Sequence, residues 1–331
     1  MITYNHENFI EQAVRSVMMQ ETDFEYELVI GEDCSTDRTR EIALRLKEEF
    51  PNKIRLLLHD NNIGMIPNMI ATYNACTGEY IALCEGDDYW TVPEKLQSQV
   101  DYLEVHPDCR VCFHAAQVSY EGEPNKIVII KPSHEYMVTF ENWLEQRGKR
   151  FNYIATATIV FRAVRLPLPD WYRQLQFAGD WPLILWLSHH GGTLAFLERS
   201  IPMSIYRRHN GGVSHHLTTK IFIRYYNDHT LVLDYINKNL HRHVYRRLYH
   251  ICILIIRRCL DNNDRTLAYN YLKMALRYVD HTNSGEITLY LKLLFEANFP
   301  TLYSWTSHLK HFIFSNVSAG VKGLKQNRGK H

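Results

Sequence analysis

The stretch YIALCEGDDYW, residues 80–90, places three carboxylates directly after a short apolar run. The apolar residues predict a buried strand over 79–84, and Glu85, Asp87 and Asp88 follow it. In open α/β sheets, ligands bind beyond the carboxyl ends of the strands. Crowded carboxylates repel one another unless a cation neutralises them, and Mg²⁺ or Mn²⁺ prefers oxygen ligands. The stretch therefore predicts a divalent-metal site, although one of the two aspartates could instead cap the helix expected next.

Short apolar segments alternate with amphipathic segments on both sides of this stretch. This alternation predicts βαβ units and a mainly parallel sheet flanked by helices, which is an α/β fold. Strands are expected over 26–32, 54–59 and 79–84, and helices over 8–20, 36–51, 67–78 and 91–107.

The character of the sequence changes near residue 217. Helical periodicity then continues with few glycines or prolines, so we expect a catalytic domain over 1–216 and an all-helical region over 217–318. The polar, basic tail 319–331 is expected to be disordered.

The composition excludes several classes of protein. The formal net charge of +1 gives no reason to expect a nucleic-acid partner. No apolar run reaches the length of a membrane span, and the N-terminus lacks the pattern of a signal peptide. Seven scattered cysteines favour reduced thiols and a cytoplasmic protein. The basic segment 238–260 could bind anionic lipid headgroups at the inner face of the membrane, or it could be an ordinary charged helix face. The oligomeric state stays open.

A second acidic strand end occurs in LVIGEDCSTD, residues 28–37. Glu32 and Asp33 end the predicted strand and lead into the next helix. A carboxylate at this point can accept hydrogen bonds from a nucleobase N–H or from ribose hydroxyls, or it can be an N-cap.

Five short segments, taken in order, resemble the family 2 glycosyltransferases, which have the A-type nucleotide-sugar fold. The resemblance covers roughly residues 2–216. It implies transfer of a sugar from a nucleotide-diphospho-sugar, most often a UDP-sugar, with Mg²⁺ or Mn²⁺. The implied acceptor is a glycan or lipid-linked hydroxyl in cell-surface polysaccharide synthesis. The segments are TYNHENFIEQAVRSV (3–17), LVIGEDCSTDRT (28–39), NNIG (61–64), GEYIALCEGDDYW (78–90) and the P-x-K-L of 93–96.

The resemblance also implies roles for individual residues. On the nucleotide side, Tyr4 lines or stacks on the base, Asp33 contacts the base with Glu32 beside it, and Asn62 shapes the adjoining loop. The family pattern D-x-D-D reads Glu85-Gly86-Asp87-Asp88 in this sequence. The first carboxylate, Glu85, then meets the ribose on a longer arm than usual, and Asp87 and Asp88 belong to the metal site.

A general base is expected in QFAGDWPLILW, residues 176–186. The family has an acidic pair at this point, and here Gly179 stands in place of its first member, so Asp180 is the candidate. Asp180 could otherwise serve only as a helix cap. A single base with direct displacement implies inversion at the anomeric carbon. Arg207 and His209 resemble the family's Y-R-x-H segment, which lies over the diphosphate.

Two other functions are compatible with parts of this pattern. A sugar-nucleotide nucleotidyltransferase shares the broad fold, but it needs a glycine-rich loop after its first strand, and TYNHENF, residues 3–9, contains no glycine. A catalytically inactive module that binds a glycan or nucleotide is the other alternative, and the presence of Asp33, Asp87 and Asp180 argues against it.

Overall fold

The computed structural model divides the chain into two compact units, Met1–Arg247 and a second unit that begins at Leu248. The predicted tail 319–331 and the end of the predicted helical region lie outside the described residues. The structure describes residues 1–132, 137–149, 154–164, 167–189, 192–212, 218–280 and 282–298.

The described strands form three sheets in the first unit. The first sheet has the order β1-β2-β3, the second β4-β10-β6-β11-β9 and the third β5-β12-β7-β8. The strands are β1 (Ile2–Thr3), β2 (Leu28–Glu32), β3 (Ile54–Leu58), β4 (Tyr80–Ala82), β5 (Tyr89–Trp90), β6 (Cys109–Phe113), β7 (Ala116–Tyr120), β8 (Val128–Ile130), β9 (Met137–Val138), β10 (Val160–Arg162), β11 (Thr193–Phe196) and β12 (Ser204–Arg208).

Helices follow the early strands, as the alternation predicts. The first unit holds α1 to α7 and the start of α8, and the second unit holds the rest of α8 with α9 and α10. The helices are α1 (Ile10–Met18), α2 (Thr39–Glu49), α3 (Met65–Ala75), α4 (Lys95–Val105), α5 (Phe140–Lys149), α6 (Asp180–His189), α7 (Thr219–Leu231), α8 (His241–Asp261), α9 (Arg265–Ala275) and α10 (Ser284–Asn298).

The core of the first sheet follows from the helical periodicity of its flanking helices. Ile10, Val14 and Leu46 are fully buried and join Ile30 and Ile54 of the strands in one apolar cluster. Positions four apart lie on one face of a helix, so these side chains reach the sheet together. The packing fixes β1 and β2 side by side, and their carboxyl ends lie at one edge.

The α/β fold with helices flanking the sheets is as predicted, and it combines a parallel first sheet with two mixed sheets. β1, β2 and β3 are parallel, with Leu28 opposite Ile54. The predicted strand 79–84 forms β4, which pairs antiparallel with β10. β10 is inserted between β4 and β6 and runs antiparallel to both. The topology therefore departs from a simple βαβ succession after the acidic stretch.

The first unit also extends beyond the predicted domain limit at residue 216. It includes α7, because Asp228 of that helix accepts hydrogen bonds from backbone groups of residues 176–178. The helical periodicity near 217 thus marks a change of secondary structure inside a compact unit.

Candidate functional site

A cavity of about 540 Å³ lies at the carboxyl ends of β1 and β2. This volume is within the range of small-molecule sites. Its lining comes from the start of the chain, the 62–69 segment, the 85–87 turn, residues 154–156, 177–181, 206–208 and 211–212, and helix α7. Segments far apart in sequence therefore face one space.

The acidic turn after β4 is held against β1. The backbone N–H of Gly86 donates to the carbonyl of Ile2 at 3.0 Å. A Cβ atom at position 86 would lie 2.5 Å from Oγ1 of Thr3 and 2.9 Å from Nδ1 of His6. The turn therefore requires glycine at position 86. The acids on either side of it in the sequence, Glu85 and Asp87, both line the cavity.

Asp87 lines the cavity and has two histidines beside it, of which His6 also lines the cavity and His209 is buried. Nε2 of His209 lies 3.1 Å from Oδ2 of Asp87, and Nε2 of His6 lies 3.8 Å from the same atom. One ligand atom from each of the three residues lies within 4.8 Å of the others. Burial alone would raise the pKa of Asp87, but the hydrogen bond from His209 and the field of His6 lower it. These three residues are the described group best arranged to hold a metal ion.

His209 packs against the acidic turn. The resemblance assigned it to the diphosphate, and the structure puts its ring beside Asp87 and 4.4 Å from the ring of Phe9. His6 was not predicted at all. Its only signal in the sequence is a titratable side chain three residues after the end of β1.

Asp88 is turned away from this group. Its Oδ1 accepts the backbone N–H of Arg207 at 2.9 Å, and the residue is 1% exposed. Oδ2 has no hydrogen-bond partner among the described residues. Burial, followed by the fields of Asp87 and Glu85, raises the pKa of Asp88 well above its ordinary value. Asp88 thus holds β12 beside the turn, and it is not part of the group formed by His6, Asp87 and His209.

The two acids that end β2 are also separated. Glu32 is fully buried, and its carboxylate binds the guanidinium of Arg40 and the backbone N–H of Ser35. Asp33 lines the cavity and accepts the backbone N–H groups of Ile63 at 2.7 Å and Gly64 at 2.9 Å. Of the two acids only Asp33 lines the cavity, and Glu32 fastens the strand to α2.

Three other predicted residues line the cavity. Tyr4 is 40% exposed, so its ring is accessible, and Asn62 is exposed beside it. Burial, followed by the fields of Asp87 and Asp180, raises the pKa of Glu85 to about 8. The electrostatic influence of Asp180 on Glu85 indicates that the predicted base and the acidic turn share one side of the cavity.

Asp180 is the first residue of α6 and is half-buried in the cavity wall. The carboxyl group of Asp180 therefore lies in the first turn of the helix, where the helix dipole favours negative charge. Gly179 precedes it, and a Cβ there would lie 2.5 Å from Sδ of Met69 and 3.1 Å from Oη of Tyr172. The family's additional acid at position 179 would therefore collide with its neighbours unless Met69 moved.

Arg207 reaches the cavity from β12 but is tethered. Its guanidinium donates to the carbonyl of Asp87 at 2.6 Å and to the side chain of Gln12, and it lies 4.3 Å from the ring of Tyr89. Burial lowers its pKa. The arginine therefore holds the acidic turn and also lines the space beside it.

The basic segment 238–260 does not present all its arginines to solvent. Arg247 is 4% exposed and lies over the ring of Tyr225, and Arg242 pairs with Glu141. Among the described residues, no helix combines the length and apolar character needed to cross a bilayer.

Comparisons with known proteins agree with this architecture. Residues 1–165 match the family model described as glycosyl transferase family 2. An uncharacterized protein of Mycobacterium tuberculosis is 35% identical over 223 residues, which are 65% of this chain and 59% of that protein. The poly(ribitol-phosphate) β-N-acetylglucosaminyltransferase TarS of Staphylococcus aureus is 27% identical over 128 residues, 38% of this chain and 22% of TarS.

A solved structure extends the likeness of fold. The structure of S. aureus TarS 1–349 in complex with UDP-GlcNAc has a TM-score of 0.63 at 16% identity, covering 90% of this chain and 85% of that one. At this identity the likeness concerns the fold alone. The chain spans 59% of the length of its mycobacterial relative.

Proposed function

Because the chain belongs to glycosyl transferase family 2, with the A-type nucleotide-sugar fold, we propose that it transfers a sugar from a nucleotide-diphospho-sugar to an acceptor hydroxyl with inversion. The observation that carries the proposal is the shared cavity. Asp87, His6 and Asp180 at the start of α6 line the same space of about 540 Å³, and His209 lies behind Asp87, 3.1 Å from its carboxylate. One cavity could therefore hold the diphosphate of a donor beside Asp87 and the hydroxyl of an acceptor beside Asp180.

The nucleotide is assigned to the side of Tyr4, Asp33 and Asn62. A carboxylate has about four lone-pair sites, so Asp33 can accept a base N–H while keeping its two backbone partners. Tyr4 offers an accessible ring for stacking. Glu85, next along the cavity wall, is assigned to the ribose hydroxyls. A UDP-sugar fits this proposal. The structure of S. aureus TarS 1–349 that resembles this fold contains UDP-GlcNAc.

The metal is assigned to Asp87 and His209, with His6 as a third donor. One carboxylate and two imidazoles suit Mn²⁺ better than Mg²⁺, since Mg²⁺ favours oxygen ligands. When bound, such an ion would offset the charge that develops on the departing diphosphate. Arg207 lines the same space and supplies a second positive charge.

Asp180 is assigned the role of general base. Its carboxylate takes the proton of the acceptor hydroxyl while the acceptor oxygen forms a bond to the anomeric carbon. The bond from that carbon to the diphosphate oxygen breaks, and the diphosphate leaves with the electron pair. A direct displacement of this kind inverts the anomeric centre. A retaining mechanism would need a second carboxylate as nucleophile.

The acceptor is proposed to be a glycan or a lipid-linked saccharide of the cell surface. The support is by analogy, since TarS is named for the transfer of N-acetylglucosamine to poly(ribitol phosphate). We place the reaction in the cytoplasm, with support from the seven cysteines, all of which carry free thiols.

The proposal is tested with the full chain, a panel of nucleotide sugars and Mn²⁺. Slow release of nucleoside diphosphate from one donor, accelerated by an acceptor saccharide, is expected. Release of pyrophosphate from a nucleoside triphosphate in the presence of a sugar phosphate would instead identify a nucleotidyltransferase. Donor binding without turnover, over a range of acceptors, would identify a binding module.

A further inference from the structure

A buried carboxylate outside the expected catalytic region holds the segment that leads to the proposed base. Asp228 of α7 is 0% exposed. Its Oδ1 accepts the backbone N–H of Gln176 at 2.7 Å, and its Oδ2 accepts those of Phe177 at 3.0 Å and Ala178 at 3.1 Å. Three consecutive backbone N–H groups thus donate to one side chain.

Two further hydrogen bonds hold the same segment, one at each end. Oη of Tyr172 donates to the carbonyl of Gly179 at 2.5 Å, and Nδ2 of Asn227 donates to Oε1 of Gln176 at 3.2 Å. Residues 176–179 come directly before Asp180, so the position of the first residue of α6 depends on these bonds.

Ring contacts join α7 to both sides of Asp180. The ring of His229 stacks on Trp181 with centroids 4.3 Å apart, and Tyr225 meets Phe177 edge-on at 5.7 Å. Nδ1 of His229 lies 2.7 Å from the carbonyl of Tyr225, which fixes the orientation of its ring. Asp228 therefore sits in the middle of a rigid contact between α7 and the base-bearing segment.

We infer that Asp228 is a positioning residue for Asp180, acting through the backbone of residues 176–178. This inference rests on the proposed role of Asp180 as the base. It assigns a contribution to catalysis to α7, which lies beyond the matched residues 1–165.

The cost of burying this carboxylate supports a purpose beyond stability. Burial raises the pKa of Asp228 to about 6, although the three backbone N–H groups act in the opposite direction. An apolar residue with a different backbone path would avoid that cost. A displacement of about 1 Å in a reacting group can lower a rate by about 100-fold, so a tightly bonded approach to the base has a clear benefit.

The test compares Asp228→Asn with the control Asp234→Asn, which changes an exposed carboxylate just after α7. An asparagine turns an N–H donor toward backbone donors, so the segment should loosen. We expect kcat to fall roughly 10- to 100-fold with the donor KM within about twofold. Hydrogen exchange at the amides of residues 176–178 should accelerate, and the control should match wild type in both measurements.

Tyr172→Phe is measured in parallel, because the asparagine variant could fail to fold. It keeps the buried ring and removes the bond to Gly179, together with the weaker contact of the same hydroxyl with Sδ of Met69, so a smaller fall in kcat at unchanged donor KM is expected. Faster exchange with an unchanged kcat, or a lower kcat with unchanged exchange, would overturn the inference. An unchanged kcat in Tyr172→Phe would also overturn it. Wild-type protein without any transferase activity would refute the proposed function instead, and the two failures are thereby distinguished.

Discussion

Nε2 of His209 lies 3.1 Å from Oδ2 of Asp87, although 122 positions separate the two residues in the chain. β12 makes this contact possible, since it runs beside β5, which directly follows the acidic turn. His6 approaches the same carboxylate oxygen from the end of β1. Two separate segments therefore converge on a carboxylate carried by a third, which is the arrangement expected of a ligand-binding centre.

Asp87→Asn should abolish the enhancement of donor binding by Mn²⁺. The amide carries no charge and binds a hard cation poorly, so the cluster would lose its only anionic ligand. Calorimetric titration of a nucleotide-diphospho-sugar, with and without Mn²⁺, measures the effect.

Asp88→Asn is the matched control for this experiment. The amide oxygen introduced by this substitution could still accept the backbone N–H of Arg207, so Mn²⁺-dependent binding should remain close to that of wild type. Loss of the metal effect in the Asp88 variant, with retention in the Asp87 variant, would reverse the assignment of the two acids.

Asp180→Asn should retain donor binding and lose transfer. The amide preserves the shape of the side chain at the start of α6 but cannot accept the hydroxyl proton. A positioned base contributes typically 10²- to 10⁴-fold, so the transfer rate should fall by about that factor. Initial rates and donor affinity are measured on the same preparation. A normal transfer rate would exclude Asp180 as the base.

The order of motifs predicts the fold and the general location of the site. Each of the segments around Tyr4, Asp33, Asn62 and Asp87 contributes to one cavity. For the segments after β1, β2 and β3 local sequence is sufficient, because carboxyl ends of neighbouring parallel strands meet at one edge. The turn that carries Asp87 follows β4 of another sheet, and the hydrogen bond from Gly86 to Ile2 holds it beside β1.

The sequence is less informative about which neighbour in an acidic pair faces the ligand. Glu32 and Asp33 are both acidic, and so are Asp87 and Asp88, yet one member of each pair is turned into the protein. The choice depends on Arg40 and on the backbone of β12, which are tertiary partners. The meeting of His6 with Asp87 also depends on contacts that no local pattern encodes.

Glu32→Gln should lower stability while leaving donor affinity nearly unchanged. The substitution removes a charged acceptor from Arg40 and Ser35 in a fully buried position. Hydrogen bonds to charged groups contribute about 1.5–3 kcal/mol, so the free energy of unfolding should fall by about 2 kcal/mol. Urea denaturation and donor titration measure the two quantities separately. A large loss of donor affinity in a stable variant would show that Glu32 contributes to nucleotide binding.

Lys95→Met should change how stability depends on pH. Lys95 is 0% exposed, donates to Oε1 of Gln99 at 2.7 Å and lies 4.1 Å from the ring of Trp90. Burial lowers its pKa to about 7. An unfolded chain has a lysine pKa of about 10.4, so between about pH 7 and 10 the unfolded state binds more protons. The contribution of Lys95 to the free energy of unfolding therefore increases as the pH rises from about 7 to 10.

The measurement is the free energy of unfolding at intervals from about pH 7 to 8.5, for wild type and for Lys95→Met. Other titrating groups are common to both proteins, so the difference between their slopes isolates Lys95. The wild-type slope should exceed that of the variant by up to about 1.4 kcal/mol per pH unit, the value for one proton. Lys131→Met, at an exposed position, controls for the loss of one positive charge. Parallel slopes for wild type and Lys95→Met would mean that the buried lysine remains charged in the folded protein.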